Sequence, residues 1–470
     1  MVAFRRVRAA VFGLAAALAF GAPAPVTAVA THLVPAVVGH IEGTALKDPP
    51  TTAFCRAQLH ISCYQPFQIQ KAYNLAPLFD RKIDGRGRTI VIVDAFGSPT
   101  IREDLKHFDQ TFGLPDPPSF RIIQPAGAVA PYPDDPFGAA DRSGWAGETT
   151  LDVEWSHVMA PGANILLVET PQSETEGVQG FPEIVRAENF VVDHGLGDVI
   201  SQSFGATEET FPNHDSIRDL RSAFFNARRH HVTVLGSSGD AGATDNQADL
   251  SCCFPFPVNS WPSADPLVTS LGGTQLHLDD AGNRMAPDEV WNDGFGAGGG
   301  GVSKVFERPE FQNGVRRLVG DRRGTPDISM SAAVDGGVAV FSSFTDFSRT
   351  PAVVGPQWHV DGGTSEASPL FAGVVTLANQ VAHHRLGFLN ERLYRLGHER
   401  SSGIVDVTKG NNSFTFCSTN CGTPQEIDTT VKGFEALPGF DLASGTGTID
   451  AARFVPALAR SDSDDDRAEA

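Results

Sequence analysis

The chain has 470 residues, with 36 Lys and Arg against 56 Asp and Glu, a formal net charge of -20. That surplus excludes a protein that lives on nucleic acid phosphates, whose affinity comes from Lys and Arg, and disfavours anionic membrane surfaces. Hydrophobic residues at 41% and charged residues at 20% are those of a packed globular protein, and the length fits one large domain or a few of ~100–200 residues.

Arg5, Arg6 and Arg8 precede an apolar run over residues 9–20, followed by small residues and prolines to Ala30. This is the order of a secretory signal peptide, and residues 1–30 are read as one; the run is shorter than the ~20 residues of a membrane span. A short segment, 31–63, follows. That segment is too short for a large folded prodomain: either the chain folds without one, or the segment with Cys55 and Cys63 is an integral part of the domain. Six cysteines suit an exported protein. They stand as Cys55 with Cys63, Cys252 with Cys253, and Cys417 with Cys421. The first and last pairs are expected to bond, and the adjacent pair is left open.

From residue 64 to 455 the pattern alternates. Residues 89–93 (TIVIV), 163–168, 199–201, 232–235 and 267–271 are short apolar, β-branched runs of the kind buried on both faces of a parallel sheet. Helical patterns occupy 101–112, 148–159, 183–194, 217–230 and 370–381. This predicts an α/β domain, doubly wound, with a mostly parallel sheet and helices on both faces. Residues 456–470, ending SDSDDDRAEA, are read as an acidic, disordered tail.

Three places carry candidate chemistry. Ser365, in Gly362-Gly363-Thr364-Ser365-Glu366-Ala367-Ser368-Pro369, falls at the start of a helix whose first turn is expected to hold Pro369. Free N–H groups and the helix dipole favour the oxyanion that a serine nucleophile generates, although capping is the commoner job of a serine there. Glu148 and Asp152 are four apart, so both carboxylates share one helix face, where like charges repel and can share a proton. A solvated acidic face is the bland alternative. The apolar neighbours Leu151, Val153, Trp155, Val158 and Met159 argue for burial. Asp240, in Gly236-Ser-Ser-Gly-Asp-Ala-Gly242, follows a predicted strand, where α/β sheets place ligands; a turn aspartate is the alternative.

These motifs together resemble the sedolisins, the serine-carboxyl peptidases of subtilisin-like fold. The supporting strings are Asp152-Val-Glu-Trp155 with Ala160-Pro161-Gly162, Ser201-Gln-Ser203-Phe-Gly205, Gly272-Gly273-Thr274, and Pro326-Asp327-Ile328-Ser329. The resemblance implies that Ser365 is the nucleophile, Glu148 the general base, Asp152 its partner, and Asp240 a protonated donor to the oxyanion. It implies a secreted enzyme acting on protein or peptide substrates at acid pH, as a monomer, without nucleic acid or membrane partners. Whether cleavage is internal or releases N-terminal tripeptides stays open. It also implies one structural Ca²⁺, held by Asp406, Val407, Leu437, Gly439 and Asp441, with Leu437 standing where the family usually has glycine. A second enzyme reading keeps an ordinary Ser-His-Asp arrangement with Asp94 and a histidine such as His157. A reading from another class is a non-catalytic, peptide-binding relative.

Overall fold

The computed structural model describes residues 46–133, 139–347 and 351–468; the expected signal segment, 1–30, lies outside them. The central element is an eight-stranded sheet. Its strands are β1 (Thr89–Ala95), β2 (Phe120–Ile123), β3 (Asn164–Thr170), β4 (Val199–Gln202), β5 (Thr233–Ser237), β6 (Thr269–Gln275), β7 (Glu289–Val290) and β8 (Ile328–Ser331). The order is β7-β6-β5-β4-β1-β3-β2, with β8 also paired to β6. Every pairing is parallel except that of β7 with β6. The apolar runs of the sequence are the central strands. Their alternate side chains feed two cores on opposite faces: Ile90, Ile92, Ile165 and Leu167 on one, Val91, Val93, Leu166 and Val168 on the other. A strand buried on both faces has no place for a polar alternation, which is why these segments read as unbroken apolar stretches.

The longer helices are α1 (Ile101–Phe112), α2 (Ala139–Met159), α3 (Phe181–Asp193), α4 (Ser222–Arg229), α5 (Thr364–Ala382) and α6 (Ala451–Ala468). Helix α1 has the bounds expected and ends on Gly113 at φ 69°. Helix α2 begins well before residue 148, because buried Trp145 and Ala146 anchor a stretch whose glycines hide the helical pattern. The helix expected over 217–230 is broken. A short turn, His214–Arg218, precedes α4, and between them Arg221 binds Asp265 through two nitrogens at 2.6 and 2.9 Å.

Helix α5 also starts earlier than expected, so Pro369 lies inside the helix and not in its first turn. Helices α2 and α5 pack on the same face of the sheet. Their closest approach needs Gly373: a Cβ there would collide with Cβ of Met159.

The N-terminal segment is part of the domain from residue 46 on. Leu46 pairs with Trp358, and Cys63–Tyr64 adds a parallel edge to a small sheet of Gly337–Ser342 and Gln357–Asp361. Cys55 is bonded to Cys63 and Cys417 to Cys421, with Cα–Cα separations of 5.9 and 5.6 Å, and the adjacent Cys252 and Cys253 are bonded to each other. The expected tail is corrected at its start. Helix α6 runs through residue 468, and buried Val455 and Leu458 bind its first turns to the core, so residues 456–460 are not a disordered extension. Among the described residues, no helix is long and apolar enough to cross a membrane.

Candidate active site

The turn that delivers Ser365 is built on glycine. Gly363 has φ 113°, a conformation that L side chains rarely adopt, and a Cβ on it would lie 2.9 Å from Oδ2 of Asp240. Asp240 sits in the loop after β5, as the sequence placed it. Its Oδ1 accepts two hydrogen bonds from the next residue of the turn: Thr364 N–H at 2.7 Å and the Thr364 hydroxyl at 2.8 Å. Gly239 N–H donates to that hydroxyl at 3.1 Å. With Oδ1 doubly occupied, Oδ2 is the oxygen left to carry a proton. Burial pushes the Asp240 carboxyl up to about 6; the Thr364 hydrogen bonds pull it down and Asp245 adds to the rise.

Helix α2 supplies the other carboxyls. Glu148 and Asp152 are both fully buried. Asp152 Oδ1 lies 2.9 Å from Ser203 Oγ, within hydrogen-bond reach. Neither Glu148 oxygen, nor Asp152 Oδ2, makes a hydrogen bond of normal geometry among the described residues. Glu148 is held well above the ordinary carboxylate range by burial first, then by Asp94, with Asp240 and Asp361 adding to it; the nearby Ser365 hydroxyl is what lowers it. Asp152 is raised by burial, then by Asp94 and Glu148; a hydrogen bond donated by Ser203 would lower it. Two such groups cannot both ionise in a dry site, so at acid to neutral pH the pair shares at least one proton. A carboxylate beside a hydroxyl that lacks a tight contact is what an enzyme at rest often shows, the bond shortening once substrate is held.

The structure thus brings Glu148, Asp152, Asp240 and Ser365 into one site. It also brings in Asp94, which the sequence reading offered only to a Ser-His-Asp arrangement, and Thr364 and Ser203, to which it gave no role. Asp94, at the end of β1, is fully buried and raised to about 7 by burial and Glu169, with Thr149 opposing. It stands with the carboxyls of α2 and not with a histidine. Thr364 ties Asp240 to the turn that carries Ser365, and Ser203 touches Asp152. Each was visible as part of a string, but nothing in the string says what its side chain faces. His157 does not serve the second enzyme reading. It is buried at the far end of α2, with Nε2 2.8 Å from the Pro115 carbonyl oxygen and 3.4 Å from Asp109, and burial lowers it to about 4. Among the described residues, no histidine bonds to Ser365 or Glu148.

The five residues expected around calcium also converge. Asp406 Oδ2 accepts from Gly439 N–H at 2.9 Å, and Asp441 Oδ2 from Leu437 N–H at 2.8 Å. Asp441 Oδ1 accepts from the N–H groups of Ala443 and Ser444. Val407 follows Asp406 and is buried. Among the described residues no Lys or Arg neutralises either aspartate, although Asp441 is only 1% exposed. Two aspartates beside the backbone carbonyls of this loop would form an all-oxygen donor set, the kind a hard cation takes.

No family model matches the chain. Kumamolisin from Bacillus sp. (strain MN-32) is 30% identical over 405 residues, which cover 84% of this chain and 64% of the relative. Sedolisin from Pseudomonas sp. (strain 101) is 28% identical over 374 residues, 78% of this chain and 57% of the relative. Human (Homo sapiens) tripeptidyl-peptidase 1 is 28% identical over 313 residues, 64% and 50%. The chain therefore spans between half and two thirds of the length of these relatives. The solved structure of Pseudomonas sedolisin, a serine-carboxyl proteinase complexed with two molecules of pseudo-iodotyrostatin, superposes with a TM-score of 0.67 at 26% identity, covering 85% of this chain and 99% of that one. With the parallel sheet, the serine turn and the carboxyl cluster in their expected places, the chain belongs to the sedolisin family and has its subtilisin-like α/β fold.

Proposed function

We propose that the protein is a secreted serine-carboxyl peptidase that hydrolyses peptide bonds at acid pH. One observation carries this: three buried carboxyls with raised pKa values, Glu148, Asp152 and Asp240, surround the hydroxyl of a serine at a helix N-terminus. Ser365 Oγ attacks the scissile carbonyl carbon, and its proton passes to Glu148. Glu148 returns that proton to the leaving amine, and then activates the water that releases the acyl group. Asp152, neutral in the competent state, leaves the negative charge on Glu148. Asp240 donates from Oδ2 to the oxyanion, which a carboxyl does only while protonated.

The Asp240 donor gives the expected loss of activity toward neutral pH. Asp240 loses its proton as pH rises through about 6, and the donor becomes a repelling charge. That donor is intact on the acid side and is lost toward neutrality. Calcium, held by Asp406 and Asp441 with the carbonyls of Val407, Leu437 and Gly439, would supply two positive charges to this acidic loop and no chemistry at the scissile bond. The arginine-led, apolar N-terminal segment supports export. A fluorogenic peptide assay at pH ~4 and ~7, with Ser365→Ala as control, tests the reading. Equal rates at the two pH values, or full activity in the variant, would sink it.

A further inference from the structure

Ser203 stands between the acid pair and the nucleophile, just past the end of β4. Its Oγ is 2.9 Å from Asp152 Oδ1 and 3.3 Å from the carbonyl oxygen of Ser365, and its own carbonyl oxygen lies 3.5 Å from Ser365 Oγ. The Ser365 carbonyl needs this visitor. In a regular helix it would accept from the N–H four residues on, but that residue is Pro369, which has none. The site is buried, so a carbonyl left without a donor is costly. Yet Ser203 has one proton and two acceptors within reach.

We propose that Ser203 is a positioning residue that assigns the single proton of the Glu148–Asp152 pair to Asp152. Its proton goes to the Ser365 carbonyl that Pro369 leaves open, so it presents a lone pair to Asp152 and accepts from the neutral carboxyl. Neutral Asp152 is favoured, and the negative charge is left on Glu148, beside the nucleophile. A Ser203 that donated to Asp152 would do the reverse, favouring its ionised form and leaving the proton on the base. The charged groups facing Asp152 are Asp94 from β1 and Glu148 from α2, and both oppose its ionisation. The strand end has a separate anchor to α5, the Ser201–Ser368 hydroxyl pair at 2.8 Å, so the Ser203 hydroxyl is not needed to hold the two elements together.

This rests on the proposed reading of Glu148 as base, and the experiment separates the two. The carboxylic C=O infrared band that disappears in Asp152→Asn is followed against pH in the full chain. In Ser203→Ala its midpoint is expected to fall by about one pH unit, the worth of one hydrogen bond, with kcat down about tenfold and KM unchanged. Ser203→Thr, which keeps the hydroxyl, is expected to restore both. Pro369→Ala supplies the missing N–H, releases the Ser203 proton to Asp152, and is expected to lower the midpoint as well. A Ser203→Ala midpoint that rises or does not move, including a carboxyl that stays protonated throughout in both proteins, overturns the proposal. Glu148→Gln with undiminished activity overturns the underlying reading instead, whatever Ser203 does.

Discussion

Thr364 grips one oxygen of Asp240 twice, by its N–H at 2.7 Å and its hydroxyl at 2.8 Å, and so turns the other oxygen toward the space that Gly363 keeps empty. The consequence is a donor whose proton, and not its position, depends on pH. Asp240→Asn replaces that proton with an amide N–H that does not titrate. With the wild-type carboxyl at about 6, roughly one molecule in ten keeps its donor at pH ~7, so the variant's ratio of activity at pH ~7 to pH ~4 is expected to rise about tenfold. Asp240→Ala, with no donor, is expected to lower kcat ~10²–10³-fold at every pH. A pH profile unchanged in Asp240→Asn counts against the oxyanion role.

Gly363→Ala tests the same contact from the other side. An alanine there meets Asp240 Oδ2 and takes up a strained φ of 113°. Activity at pH ~4 is expected to fall at least ~100-fold, by displacement of the donor and the nucleophile turn. Circular dichroism should show the fold retained. A variant with normal activity would mean that Asp240 does not need its present seat.

Glu148→Gln keeps size and shape and removes the base. General-base removal typically costs ~10²–10⁴ in rate, and kcat/KM is expected to drop in that range. Under a Ser-His-Asp arrangement the same change would leave activity intact, so one kinetic measurement decides between the two.

Local interactions were legible in the sequence and distant ones were not. The central strands announced themselves because burial on both faces demands an unbroken apolar run such as 89–93. The edge strand Phe120–Ile123 did not, since its residues are half exposed and its pairing partner supplies the order. Glu148 and Asp152 were legible as a pair because helix geometry joins residues four apart. Asp152 and Ser203 are 51 residues apart, and no spacing rule connects them. The early start of α5 was hidden by Pro369, which reads as a helix beginning until its orphaned carbonyl is seen to find a donor on β4's extension.

Stability should fall as pH rises. Burial lifts the carboxyls of Asp94 and Glu208 to about 7, Asp109 and Glu188 to about 8 and Glu176 to about 9. A raised folded-state pKa means that the native chain binds more protons than the unfolded one, so its contribution is full below the unfolded value near ~4 and is lost as pH climbs through the folded value. His157, lowered to about 4, pulls the other way below its ordinary value of ~6.5 but is a single group. Thermal denaturation is expected to give a Tm at pH ~4.5 above that at pH ~8. A Tm that rises steadily across this window would contradict the burial of these acids.

The proposed calcium site is separable from catalysis and is tested by removal of the cation. A cation that binds only the folded chain stabilises it by about 2.7 kcal/mol at a hundredfold excess over Kd. Dialysis against a chelator is therefore expected to lower Tm by several degrees, and Ca²⁺ to restore it. Asp441→Asn weakens the more deeply buried ligand while preserving an oxygen for the N–H groups of Leu437, Ala443 and Ser444. The variant is expected to melt near the chelated wild type and to respond little to either treatment. If the wild-type Tm ignores the chelator, the two aspartates are doing what their hydrogen bonds already show, closing a turn, and the loop holds no ion.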